Sequence, residues 1–388
     1  MRTRMVGLGS MRPARARRST ADGPVDLRSD TVTRPTRRMR EAMVAAEVDD
    51  DVLGHDPTMR ELEMRVAGLL GTDDALWTPS GSMGNLIALM CHLGRGDAFL
   101  APAGAHVLDA ELGTAAWLAG GMPRPLPHDA GPGKVSPEAV RRAAGSPGPY
   151  FTLRTTLLCL ENTHNAAGGT VTAPDEQAAV AGAARAAGLR VHLDGARLWH
   201  AAVALGVPPA TLTVGADTVQ VCFSKGLGAP VGSAVAGSTE FVQEARRLRK
   251  MLGGGVRQGG MLAAAALVGL DSMERLADDH AKARKLVAGL RERGWTVDDA
   301  ETNIVLIPVA DLNGTLRRFA DAGVLATSMA GKVRLMPHAD VSDADITAAL
   351  DRIGPVDPTP TVERMGLTGP GLGSPTRRGH VPARRGGR

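Results

Sequence analysis

Lys225 follows the apolar run Thr218-Val-Gln-Val-Cys-Phe223, inside the turn-forming segment Ser224-Lys-Gly-Leu-Gly228. Asp194 closes a second apolar run, Leu189-Arg-Val-His-Leu193. A lysine amine at the end of a buried strand is partly desolvated, which disfavours the ammonium form and frees the amine to attack an aldehyde. A carboxylate at a neighbouring strand end can keep a heterocyclic nitrogen protonated. Each residue also has a plainer reading, Lys225 as a solvated loop lysine and Asp194 as a helix N-cap. The two spacings together place both groups at strand ends facing one cavity. That is the arrangement pyridoxal phosphate needs: a lysine to hold its aldehyde covalently and an acid for its pyridine nitrogen.

Further polar residues fall on the same kind of loop. Ser80-Gly81-Ser82 lies between a strand and a helix, where N–H groups and the helix dipole favour a phosphate; an ordinary helix cap would look the same. Arg197 stands three residues after Asp194, and its planar fork suits a substrate carboxylate or a place on the first helical turn at the surface. His106 and His164 each follow a candidate strand. Either could stack on a flat ring, move a proton or serve the structure alone. Arg334, in Lys332-Val-Arg-Leu-Met-Pro-His338, could close over a carboxylate from a more distal strand, although spacing alone does not decide this.

The elements that must position these groups alternate. Asp56-Pro57 begins a helix as N-cap and first-turn proline, and Gly71 ends it. Strands are expected at Ala75–Trp77, Ala98–Leu100, Thr156–Leu160, Arg190–Leu193 and Val219–Phe223, with helices at 83–92, 175–188 and 197–204. This predicts an α/β fold with a mostly parallel central sheet and helices on both faces. After about residue 250 the pattern changes. Long helices at 258–273 and 276–293 precede strands near 303–308 and 332–336 and helices near 312–322 and 342–353, which predicts a smaller α+β domain. The expected division is a large domain with an N-terminal arm over 26–255 and a small domain over 256–355, flanked by basic tails at 1–25 and 356–388.

The chain has 388 residues, 43% of them hydrophobic, and a net charge of +4. Residues 1–25 and 366–388 each carry a net +5, and the tails are rich in Arg, Pro, Gly and Ser without periodicity, so they are expected to be disordered and the body between them is acidic. A nucleic-acid partner is therefore not expected. No apolar run is long enough to cross a membrane, and Arg17-Arg18 is followed by no apolar stretch of an export signal. Met5 and Met11 offer later translation starts. Cys91, Cys159 and Cys222 form no metal or disulfide spacing and sit in apolar stretches, so no metal site is expected and a reducing cytoplasm fits.

The ordered set of motifs resembles the threonine aldolases, close to the β-eliminating lyases, of the aspartate-aminotransferase-like (type I) pyridoxal phosphate fold. The segments that carry the likeness are Asp26-Leu-Arg-Ser-Asp-Thr-Val-Thr33, Asp50-Asp-Val-Leu-Gly-His-Asp-Pro-Thr58, Pro79-Ser-Gly-Ser-Met-Gly-Asn85 and His106 through Glu111. Glu161-Asn-Thr-His-Asn165, His192-Leu-Asp-Gly-Ala-Arg-Leu-Trp199, Ser224-Lys-Gly-Leu-Gly-Ala-Pro230 and Lys250-Met-Leu-Gly-Gly-Gly-Val-Arg-Gln258 complete it. The resemblance implies that Lys225 carries the cofactor, Asp194 pairs with its ring nitrogen and His106 stacks on the ring. Ser80, Gly81 and Ser82 would hold the phosphate with Ser224. Ser29, Arg197 and Arg334 would bind the substrate carboxylate, with Arg197 also on the cofactor side. His164 would contact the β-hydroxyl, and Lys250 and Arg257 would line the site, reaching in from a neighbouring subunit. Leu53 stands where the family has a tyrosine, and His55 where it has an acid, which permits a bulkier or less polar β-substituent.

The activity so implied is retro-aldol cleavage of a β-hydroxy-α-amino acid, such as threonine, allo-threonine or phenylserine, to glycine and an aldehyde. β-Elimination, transaldol transfer or racemisation on the same scaffold is the alternative, and a non-catalytic binding protein a more distant one. A homodimer or homotetramer is expected, because such sites form at two-fold interfaces.

Overall fold

The computed structural model describes residues 23–145 and 148–356. The arginine-rich stretches at both ends lie outside them. A seven-stranded sheet runs in the order Asp74–Thr78, Ser233–Gly237, Thr218–Cys222, Arg190–Gly195, Thr155–Glu161, Ala98–Pro102, Met122–Leu126. Ser233–Gly237 runs antiparallel to both neighbours, and the remaining pairs are parallel. The expected mostly parallel α/β sheet is therefore present.

Side chains on these strands alternate between two packed faces. Leu158 and Leu160 join a core with Trp77, Val191 and Val219, while Leu157 and Cys159 face Leu86, Leu89 and Phe99 on the other side. Both faces are buried, which explains why the strands read as continuous apolar runs.

Local chemistry sets the helix ends. Asp56 caps Pro57–Leu70 through Met59 N–H, and Gly71 ends it with φ of 66°. The helix expected from residue 83 begins at Gly81, because the Ser80 hydroxyl accepts Met83 N–H at 3.2 Å. Two strands of the seven-stranded sheet escaped the sequence pattern. Met122–Leu126 contains two prolines, tolerated because it is an edge strand, and Ser233–Gly237 is built of small residues.

The C-terminal elements form a three-stranded antiparallel sheet, Thr327–Met329, Lys332–Leu335, Val305–Ile307. Its core gathers Leu286, Leu290, Phe319 and Leu350. Val25 and Leu27 belong to the same cluster, and Val25–Asp26 pairs in parallel with Val324–Leu325. The N-terminal arm is thus held by the C-terminal elements.

Candidate active site

The sheet's carboxyl edge gathers the loops after Thr78, Pro102, Glu161, Gly195 and Cys222, the edge where open α/β sheets bind ligands. These loops carry Ser80, His106, His164, Arg197 and Lys225.

Asp194 is buried. Its Oδ1 accepts Ala196 N–H at 3.0 Å and its Oδ2 accepts from Asn85 Nδ2 at 2.7 Å. Lys225 sits one strand over and is half-buried. Its carbonyl accepts from the Thr33 hydroxyl at 3.0 Å, while its amine has no hydrogen-bond or ion-pair partner among the described residues. Gly226 packs its backbone directly against the His200 ring, leaving no space for a Cβ.

Glu161 ties the two histidine loops together. Its Oε2 accepts His106 N–H at 2.7 Å and its Oε1 accepts Asn165 N–H at 2.8 Å. Burial, with the nearby Asp194 charge, pushes the Glu161 carboxyl up to about 7 against the pull of these bonds. His106 Nδ1 lies 2.8 Å from Glu111 Oε1, and this bond raises the imidazole pKa. His164 is 1% exposed, and neither of its ring nitrogens has a partner among the described residues. Burial pushes it down to about 4, so it is neutral at physiological pH. A buried imidazole with both nitrogens unpartnered is suited to meeting a polar ligand group.

Two buried guanidiniums converge beside it. Arg197 donates Nε and Nη2 to Asp30 at 2.8 and 2.7 Å, leaving Nη1 to reach Asn165 Oδ1 at 3.3 Å. Arg334 donates Nη1 to the same oxygen at 3.1 Å and Nη2 to the Arg28 carbonyl at 3.3 Å. Burial, and then the Arg197 charge, push Arg334 down to about 10. Against these two cations stands Asp30, which also accepts from Asn303 Nδ2 at 3.2 Å. The surplus of positive charge in a buried place suits one more carboxylate.

The Ser80 hydroxyl is taken up by the cap, and the first-turn N–H groups of Gly81 and Ser82 have no intrahelical partner. A Cβ on Gly81 would fall 2.9 Å from Cys222 Sγ, so glycine lets this helix start meet the neighbouring strand end. The Ser224 hydroxyl donates to the Gly232 carbonyl at 3.3 Å. Ser29 is half-buried, with its hydroxyl 3.5 Å from Asp30 Oδ1. Lys250 and Arg257 are exposed. Arg257 pairs with Asp50 at 2.8 Å, and neither bonds to the buried cluster among the described residues. Leu53 is 65% exposed on the short 3-10 turn Asp51–Leu53.

Sequence reasoning assigned no role to Asp30, Asn85, Glu111, Glu161 or Asn165. A signal was present for two of them. Asn85 precedes Leu-Ile-Ala-Leu89 and Glu161 ends Leu157-Leu-Cys-Leu160, and a polar group inside an apolar run must find a buried partner.

The beta-eliminating lyase family model matches residues 26–312. A low-specificity L-threonine aldolase of Arabidopsis thaliana is 42% identical over 334 residues, covering 83% of this chain and 93% of that one. The chain belongs to the threonine aldolase family. An Escherichia coli low specificity L-threonine aldolase in this family is 39% identical over 328 residues, covering 82% of this chain and 95% of its own. The solved threonine aldolase of Leishmania major shares the fold, with a TM-score of 0.74 at 19% identity over 85% of this chain and 98% of that one.

Proposed function

We infer that this chain is a pyridoxal-phosphate-dependent carbon–carbon lyase that cleaves a β-hydroxy-α-amino acid of the threonine type to glycine and an aldehyde. The observation that carries the reading is buried Asp194 on one strand and, in the loop after the adjacent strand, a Lys225 amine with no partner among the described residues. Kinship with low-specificity threonine aldolases at about 40% identity supports the same reaction class.

Pyridoxal phosphate, when bound, accepts the electrons of the broken Cα–Cβ bond. Asp194 would hold its ring nitrogen, His106 its ring face, and Gly81 and Ser82 its phosphate. Lys225 would supply the amine that holds the cofactor's aldehyde. Arg197 Nη1 and Arg334 would receive the α-carboxylate, which fixes the orientation of the substrate's bonds at Cα. His164, neutral and buried, accepts the β-hydroxyl proton as the aldehyde forms. The cleavage then needs one proton returned to Cα, giving glycine.

A homodimer or homotetramer is part of this reading, with exposed Lys250 and Arg257 serving the site of a neighbouring subunit. So is a reducing cytoplasmic setting, supported by three free cysteines. Among the described residues no helix is long and apolar enough to cross a membrane.

Product analysis tests the reading. Glycine plus aldehyde from threonine, allo-threonine or phenylserine supports it, whereas ammonia plus a keto acid assigns the scaffold to elimination. Lys225→Ala should abolish turnover, and borohydride should bleach the yellow colour of the purified protein.

A further inference from the structure

A chain of buried polar groups runs from Asp194 away from the candidate cofactor site. Asn85 donates one Nδ2 hydrogen to Asp194 Oδ2 at 2.7 Å and the other to Glu111 Oε1 at 2.8 Å. Asn85 Oδ1 lies 3.1 Å from His192 Nε2, His192 Nδ1 lies 2.9 Å from Thr218 Oγ1, and His92 Nε2 lies 3.0 Å from that hydroxyl. Asn85, His192 and Thr218 are all essentially inaccessible to solvent.

The polarity of this chain follows from its charged end. Asn85 Nδ2 lies within hydrogen-bond distance of both carboxylates, so its two N–H groups face Asp194 and Glu111. Asn85 Oδ1 then points at His192 and requires an N–H on Nε2. Burial keeps His192 neutral, lowering it to about 4, so Nδ1 has no proton and accepts from the Thr218 hydroxyl. One tautomer and one amide orientation satisfy the whole set. The reverse orientation would set a carbonyl oxygen against two carboxylates whose ligand atoms, with that of His106, lie within 4.8 Å of one another.

We propose that Asn85, His192 and Thr218 are positioning residues that lock Asp194 and the His106–Glu111 pair into one unit, so that the groups expected at the cofactor's ring nitrogen and on its ring face move together. The proposal rests on the reading of the site as a pyridoxal phosphate centre. Asn85 sits between the carboxylate meant for the ring nitrogen and the one that orients the stacking imidazole. His192 and Thr218 touch neither and act through Asn85.

The test uses the full-length holoenzyme and three variants: His192→Phe, which removes the donor to Asn85; His192→Gln, whose amide N–H can replace it; and Thr218→Val, which keeps volume but deletes the hydroxyl. Readouts are kcat, KM and the pH midpoint of the visible band of lysine-bound pyridoxal phosphate. The titratable groups facing this unit of Asp194, Glu111 and His106 are Glu161, Lys225, Cys159 and His92. His192→Phe should lower kcat about tenfold or more with KM within about threefold, and should shift the midpoint by about half a pH unit or more. Thr218→Val should shift it the same way by less, and His192→Gln should recover part of the loss. A wild-type midpoint and kcat in folded His192→Phe and Thr218→Val overturns the proposal. If His192→Phe does not fold, Thr218→Val decides by the same midpoint. A wild-type holoenzyme without any visible band would instead remove the cofactor reading itself.

Discussion

Asp30 and Arg197 form a fully buried, two-pronged ion pair with N···O distances of 2.7 and 2.8 Å, joining residues 167 positions apart. Burial alone would raise the Asp30 pKa. The Arg197 charge and its hydrogen bonds overcome this and hold the carboxyl far below the usual range. The pair thus persists through mild acid, and it aims the remaining edge of Arg197 at Asn165 and Arg334.

Replacing Asp30 with Ala leaves a buried guanidinium without its counter-charge. Unfolding in urea should show a loss of about 3 kcal/mol or more. Arg197 would be free to rotate, so KM for the amino acid should rise by about tenfold or more. An unchanged KM in a folded variant would mean that Asp30 does not aim Arg197.

Arg334→Ala should raise KM for the amino-acid substrate by roughly one to two orders of magnitude and leave the visible spectrum of the holoenzyme intact. Arg334→Lys should restore charge without the planar fork and recover only part of the loss. Spectral change without a KM effect would place Arg334 on the cofactor rather than on the substrate.

His164→Phe should lower kcat on β-hydroxy substrates by about a hundredfold while cofactor loading stays near wild type. Because burial holds His164 down at about 4, it should not supply the acidic limb of the rate profile near pH 6.5. Equal loss of loading and turnover would remove its assigned role.

Gly226→Ala places a Cβ against the His200 ring, so the Lys225 loop must shift. Turnover should fall by about tenfold or more, with weaker cofactor retention. Adding His200→Ala should recover part of the loss, since it removes the colliding ring, and the double-mutant cycle measures that coupling. No recovery would place the strain elsewhere, for example on Leu276, whose Cδ2 lies 2.8 Å from the same Cβ position.

Stability should fall as pH drops from about 6.5 towards 4. Burial holds His92, His164, His192 and His280 at about 4 and His200 well below its usual value. In this window the unfolded chain therefore binds more protons at these sites than the folded one, and acid favours unfolding. Burial raises Glu161 to about 7 and Asp279 to about 6, and these two act in the opposite sense. The histidines outnumber them, leaving a net uptake of roughly two to three protons on unfolding near pH 5. Urea midpoints measured between pH 7 and pH 5 should record the decline, and a flat profile would contradict it.

Much of the fold, and the residues that centre the candidate site, were legible in the sequence. Lys225 and Asp194 announce themselves because an ionisable residue ending an apolar run needs a reason to be there. The strand ends that carry His106, His164 and Arg197 follow from the same alternation. What the sequence hid was long-range pairing. Nothing local says that the fork of Arg197 closes on Asp30, or that Asn85 reaches Asp194 and Glu111 at once. Nor does composition reveal Met122–Leu126, where prolines mask an edge strand.

The parallel pairing of Val25 with Val324 has a further consequence, for biosynthesis. Contacts between such distant positions form late, because loop-closure entropy must be overcome before they contribute. On the ribosome, Ser29 and Asp30 emerge long before the strand Val324–Leu325 that anchors their arm. The candidate site therefore cannot be completed until residue 324 has emerged, and a nascent chain stopped before it should hold its sheet but lack a finished binding place for the amino acid.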